Sequence, residues 1–206
     1  MGIRDIRAVL FDMDGTLVDS DAVVDRSWSR WATEYGLSPA AVLAVAHGNP
    51  AVATVAQFLP DASPAERAAA GARVLDLEVN DVEGVVAKPG ALDLLGTLER
   101  IGLPWGVYTS APPQLAKVRL TAAGIEPSVL VTVDDVSQGK PDPEGYLRAA
   151  ELLGVPATQC LVVEDTVVGL TAGQAAGALT AGLKGIKADI ELPDLHRLDA
   201  LFKGLE

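Results

Sequence analysis

Arg7-Ala8-Val9-Leu10-Phe11-Asp12-Met13-Asp14-Gly15-Thr16 is the stretch whose reading decides the fold. Its first half is a short apolar run, and its second half is an abrupt acidic turn containing a glycine. A buried strand that ends in polar residues reads this way. Further along, strands are predicted at 104–108, 129–133, 160–163 and 178–181, and helical patterns separate them at 91–100, 114–123, 144–153 and 166–176. Such alternation implies a parallel sheet with helices on both faces. The expected class is therefore α/β: a Rossmann-like parallel-sheet core.

The alternation is interrupted once. Between residues 19 and 86 no convincing strand occurs, and helices are predicted at 21–35, 39–46, 51–58 and 64–80, punctuated by Pro39, Gly48, Pro50, Pro60 and Pro64. Gly84 and Pro89 mark the return. The expected organisation is a core built from 1–18 and 87–206 that carries an inserted all-helical unit over 19–86.

Composition agrees with a packed domain and excludes several partners. Of 206 residues 49% are hydrophobic and only 4% aromatic, so the core must be mostly aliphatic on regular elements. Acidic residues outnumber basic ones 28 to 16 and the net charge is −12, which repels nucleic acid and anionic lipid in the absence of a cationic run. Cys160 is the only cysteine, which excludes an internal disulfide or a cysteine zinc cluster and points to a reducing cytoplasm. Residues 1–12 do not resemble a signal peptide, and no apolar run approaches the roughly 18 residues of a membrane span. With no obvious exposed apolar stripe, a monomer is the expected state.

Chemistry is expected where the strands end, because open parallel sheets bind ligands at their carboxyl rim. The first strand delivers Asp12 and Asp14, the second Thr109 and Ser110, the segment after the third Lys140, and the fourth Glu164 and Asp165. Converging carboxylates repel one another, and a hard dication such as Mg²⁺ relieves the repulsion. A magnesium ion, a lysine and a hydroxyl together neutralise a phosphoryl group, on which a carboxylate held in line acts as nucleophile. In this scheme Asp12 attacks, while Asp14 protonates the leaving oxygen and later activates water. Taken singly, Asp12 and Asp14 would pass for a capped turn, Lys140 for a solvated surface charge, and Thr109-Ser110 for a helix cap.

Phe11 to Ser20, Thr109-Ser110, Gly139-Lys140-Pro141-Asp142-Pro143 and Val163-Glu164-Asp165 together resemble the four ordered motifs of the haloacid dehalogenase superfamily, over about residues 6 to 185. The resemblance implies Asp12 as nucleophile and metal ligand, and Asp14 as general acid/base that also binds the metal through its backbone carbonyl. It further implies Thr109 and Ser110 on the phosphoryl oxygens, Lys140 between nucleophile and phosphate, Asp165 on the metal, and Glu164 supporting the metal directly or through water. The helical insert resembles the mobile cap of these enzymes.

Asp14 argues against a dehalogenase, which needs no leaving-group acid, and the lack of lysine between Ser20 and Ala87 argues against a Schiff-base phosphonate hydrolase. A sugar phosphomutase usually clamps a second phosphate with cations in a cap loop, but Ala46-His47-Gly48-Asn49-Pro50 offers only His47 and Asn49. That loop resembles the small sugar and polyol phosphatases of the β-phosphoglucomutase-like group. The expected activity is Mg²⁺-dependent hydrolysis of a small sugar or polyol phosphate through an aspartyl-phosphate. A phosphomutase and a phosphate-binding module without turnover are the alternatives. His47 is expected either on a substrate hydroxyl or packed against the core. Trp28 and Trp31 are expected in the insert's own core or on its face, and Gly169, Gly173 and Gly177 where a helix lies close to the sheet.

Overall fold

The computed structural model describes residues 2–47 and 49–204; Gly48 of the 46–50 loop lies outside the described residues. From the amino end come β1 (Ala8–Phe11), β2 (Val18–Asp19), and four helices, α1 (Asp21–Glu34), α2 (Pro39–Ala46), α3 (Ala51–Phe58) and α4 (Pro64–Asn80). β3 (Val86–Ala87) closes the insert, followed by α5 (Ala91–Arg100), β4 (Trp105–Tyr108), α6 (Pro113–Ala122), β5 (Leu130–Val131) and α7 (Glu144–Leu152). The remainder is β6 (Cys160–Glu164), α8 (Val167–Ala175), β7 (Leu179–Gly182), β8 (Ile190–Glu191) and α9 (Leu195–Lys203).

The main sheet has the order β5-β4-β1-β6-β7-β8 and is parallel throughout. After β1 the chain fills one side of it with β4 and β5, then crosses to fill the other with β6, β7 and β8. The reversal puts the switch point of the sheet at the carboxyl end of β1. Register reinforces this, since Phe11 stands opposite Val163 of β6 and Val107 of β4, so the residues that follow all three emerge side by side.

Period-two alternation distributes the strand side chains between two cores. Val9, Phe11, Val107, Leu161 and Val163 meet Leu94, Leu98, Leu115, Leu198 and Phe202 from α5, α6 and α9 on one face. Ala8, Leu10, Tyr108, Cys160 and Val162 meet Tyr146, Ala149 and Ala172 from α7 and α8 on the other. α8 can lie this close because a Cβ on Gly173 would come within 2.8 Å of Val162 Cγ1, and one on Gly169 would run into the Glu164 carboxylate. Gly177 differs from these two: its φ of +80° turns the chain into β7.

The insert has a core of its own. Trp28, Trp31, Val42, Val55, Ala70, Val74 and Leu77 cluster together, and the buried Trp31 donates its indole N–H to the Ala70 carbonyl at 2.9 Å. The two tryptophans meet edge to face at 5.2 Å. Its helices start where the sequence says they should: Ser38 caps α2 and a Ser63/Glu66 capping box opens α4, each followed by a proline at the first helical position.

Some elements differ from expectation. The strand predicted over 129–133 is cut to Leu130–Val131, because Asp135 accepts both the Thr132 backbone N–H and hydroxyl and winds 133–135 into a 3₁₀ turn. β2 and β3 were not predicted, since two residues carry no periodicity; they pair antiparallel, Val18 opposite Ala87, and tie together both connections to the insert. β8 and α9 were also missed. The Asp194 cap and the buried Leu195, Leu198 and Phe202 spacing of α9 were present in the sequence as signals.

Candidate active site

At the end of β1 the chain folds back on itself. Met13 accepts the Leu17 and Val18 N–H groups at 2.9 Å, Gly15 donates to Val18 O at 2.8 Å, and Gly15 takes φ +84°. Any side chain at Gly15 would strike the Asp165 carboxylate, so the glycine lets β1's turn approach the end of β6. Asp12, Glu164 and Asp165 thereby converge, with one carboxylate oxygen from each lying within 4.8 Å of the others.

Lys140 enters this acidic cluster from the loop after β5. Its Nζ stands 2.5 Å from Asp12 Oδ1 and 2.6 Å from Glu164 Oε1, and also reaches the Tyr108 carbonyl at 3.4 Å. The ammonium lies 4.9 Å from the centre of the Tyr108 ring and 5.4 Å from that of Tyr146. Burial opposes its charge, but the Asp12 and Glu164 carboxylates outweigh that and raise its pKa, so it remains an ammonium. Asp12 is pushed well above the usual carboxylate range, first by burial and also by the charges of Glu164 and Asp165, against the opposing pull of Lys140.

Glu164 is fully buried, and both its oxygens are engaged. Oε1 accepts from Lys140 and from the Tyr146 hydroxyl at 2.8 Å; Oε2 accepts from the Asp165 and Thr166 backbone N–H groups and the Thr166 hydroxyl. It is thus the residue that fixes Lys140. Asp165 accepts Thr16 Oγ1 at 3.2 Å on Oδ1 and Lys184 Nζ at 2.7 Å on Oδ2. Asp14 accepts Ser20 Oγ at 2.7 Å on Oδ1 and Arg119 Nη1 at 2.9 Å on Oδ2. Thr109 is buried at the end of β4, where its hydroxyl oxygen accepts the Ala111 N–H at 3.1 Å and its own proton stays available; Ser110 beside it is exposed.

Of the residues singled out in the sequence, Asp12, Asp14, Thr109, Ser110, Lys140, Glu164 and Asp165 thus gather at one rim. His47 lies in the insert, half exposed, with Nε2 2.7 Å from Asp25 Oδ1 and Nδ1 3.8 Å from Asp21 Oδ1. It does not pack into the core, and it pairs with α1 carboxylates. Sequence reasoning missed Lys184, Arg119 and Tyr146. Lys184 follows β7, so extending the strand-end rule by one strand would have found it. Arg119 sits in the last turn of α6, where a cation normally reads as a partner for the helix dipole.

The donor set is hard, anionic and all oxygen, and it suits a small divalent cation better than a soft one. Among the described residues no helix is long and apolar enough to cross a membrane. A carboxylate cluster, a buried ammonium and a hydroxyl at the switch point of a parallel sheet define a phosphoryl-transfer type of centre.

Comparison with known proteins agrees. Residues 6–177 match the haloacid dehalogenase-like hydrolase family. The chain is 40% identical to hexitol phosphatase A of Escherichia coli (strain K12) over 201 residues, covering 97% of this chain and 92% of that protein. It is 36% identical to validoxylamine A 7'-phosphate phosphatase of Streptomyces hygroscopicus subsp. limoneus, over 92% of this chain and 94% of the relative. The fold matches a crystal structure of a family IA, variant 3 hydrolase from Entamoeba histolytica with a TM-score of 0.83, at 22% identity, over 96% of this chain and 100% of that one. The chain belongs to the haloacid dehalogenase-like hydrolase family, on its sugar and polyol phosphatase branch.

Proposed function

We propose that the protein hydrolyses the phosphomonoester of a small sugar or polyol, through an aspartyl-phosphate on Asp12. The observation that carries this reading is the Lys140 ammonium wedged between Asp12 Oδ1 and Glu164 Oε1 at the end of β1. With Oδ1 held by lysine, the other Asp12 oxygen is the one free to attack phosphorus. As the Asp12–phosphorus bond forms, the bond to the sugar oxygen breaks, and Asp14 delivers a proton to that oxygen. Asp14 then takes a proton from the water that cleaves the aspartyl-phosphate. Thr109 and Ser110 hold the phosphoryl oxygens, and Lys140 faces both nucleophile and phosphate.

Asp12 and Asp165, with the Asp14 backbone carbonyl, would hold Mg²⁺, and Glu164 supports them by fixing Lys140. Bound there, Mg²⁺ neutralises charge on the phosphoryl group. The helices of 19–86 serve as a cap over the rim, with His47, Asp21 and Asp25 presenting hydrogen-bonding groups suited to a polyhydroxy substrate. Among the described residues of the 46–50 loop the only titratable group is His47, already paired to Asp25, so the loop lacks the strong cations a mutase needs for a second phosphate. Hydrolysis by relatives of nearly full coverage supports the same choice.

The test is release of inorganic phosphate from a panel of hexitol, hexose and small polyol phosphates with Mg²⁺. Asp12→Asn should lose turnover while keeping its circular dichroism spectrum. A variant rate equal to wild type, or a metal-loaded wild type that releases no phosphate from any member, refutes the proposal. An isomeric sugar phosphate in place of free phosphate would assign a mutase.

A further inference from the structure

Arg119 poses a physical problem that the reaction scheme above does not use. Its side chain is only 5% exposed, between α6 of the core and α4 of the insert. Nη1 donates to Asp14 Oδ2 at 2.9 Å and Nη2 stands 3.3 Å from Glu78 Oε1, an acid on α4 that is itself buried. Nε and Nη2 make no well-formed hydrogen bond among the described residues. A buried, incompletely satisfied arginine is a poor way to stabilise a helix contact, and an apolar residue of similar volume would do better. Its neighbours Leu115, Ala116 and Leu120 already supply the apolar packing of α6.

Arg119 does confer a fixed direction on Asp14. That carboxylate is clamped on both oxygens, by Arg119 and by Ser20. Ser20 occupies the N-cap position of α1 yet makes no side-chain cap bond there, and its hydroxyl goes to Asp14 instead. Two groups thus give up their ordinary roles to hold one carboxylate, and Glu78 ties the larger of them to the insert.

We infer that Arg119 is the positioning residue for Asp14 and that Glu78 positions Arg119, so that seating of α4 on α6 aims the group that protonates the leaving oxygen. This rests on the phosphatase reading and adds the device that orients its acid. The decisive quantity is kcat/KM, which covers steps up to release of the alcohol, compared between an alkyl and an aryl phosphate. A sugar or polyol alkoxide needs a proton to depart, whereas p-nitrophenolate leaves without one.

For Arg119→Met, kcat/KM on a hexitol phosphate should fall about 100-fold or more, within the range general acid catalysis contributes, while p-nitrophenyl phosphate loses less than about 10-fold. Arg119→Lys should recover part of the difference, and Glu78→Gln should move the ratio the same way by a smaller factor. The ratio is taken within one preparation, so a partly folded sample does not distort it. Should Arg119→Met fail to fold, Arg119→Lys and Glu78→Gln carry the decision. Equal losses on both substrates, with the ratio unchanged, overturn the inference and leave the phosphatase reading intact. A wild type inert toward both substrates refutes that reading and this inference with it.

Discussion

Replacing Lys140 by Met removes the cation that bridges Asp12 and Glu164, whose side chains are 11% and 0% exposed. Met keeps an unbranched stem of similar length, so the loss falls on charge and not on volume. Removing one partner from a buried ion pair costs about 3–5 kcal/mol. In a chain of this size one kcal/mol moves Tm by about 2–4 °C, so the metal-free variant should melt about 6–20 °C below wild type. Burial already raises the proton affinity of Asp12, and without Lys140 nothing opposes it. A carboxyl whose folded pKa lies above its unfolded value stabilises at low pH, and that contribution disappears as pH rises through the folded pKa. The deficit should therefore be larger at about pH 8 than at about pH 5.

Divalent metal provides the complementary signature. A ligand that binds only the folded state at about 100 times its Kd adds about 2.7 kcal/mol, and Mg²⁺ should raise the Tm of Lys140→Met more than that of wild type, because the variant presents more uncompensated negative charge. The assay is thermal melting by circular dichroism in EDTA at both pH values, then with added Mg²⁺. A metal-free variant melting within about 2 °C of wild type at the higher pH would refute the reasoning. So would a deficit indifferent to both pH and Mg²⁺.

Two further outcomes are expected. Tyr146→Phe removes the hydroxyl that donates to Glu164 Oε1 at 2.8 Å in a fully buried setting. A hydrogen bond to a charged group is worth about 1.5–3 kcal/mol, so Tm should drop by about 3–12 °C, and an unchanged melt would show that Glu164 does not rely on it. On the insert surface, hydrogen bonds from Arg73, against a smaller desolvation and helped by Arg30, hold Glu34 down to about 2 from an ordinary 4.5. A depressed carboxyl stabilises above its unfolded pKa and loses that contribution as pH falls, so any Tm advantage of wild type over Glu34→Gln at neutral pH should vanish between 4.5 and about 2. A difference that persists below that window would count against the pairing.

Most of the site was legible because it is written locally. Asp12, Thr109 and Glu164-Asp165 each end a short apolar run, and a strand end in a parallel sheet has one address, the carboxyl rim. Lys140 was legible only through its motif, since the loop that carries it has no period. The four helices of the insert were equally plain, and Ser38-Pro39 and Ser63-Pro64 mark the starts of α2 and α4 through cap and first-turn preferences that act within a few residues.

What the sequence by itself determined is therefore the set of elements, the rim on which they end, and the acids, hydroxyl and lysine delivered there. Only the tertiary structure decided how those groups are held. Strand register set Asp12 beside Glu164, which in turn fixed Lys140. The packing of α4 against α6 brought Glu78, Arg119 and Asp14 into one line, although 105 residues separate Arg119 from the carboxylate it grips. Such contacts leave no local trace, because the free energy that fixes them comes from burial of charge between distant segments and not from the conformational preference of either one.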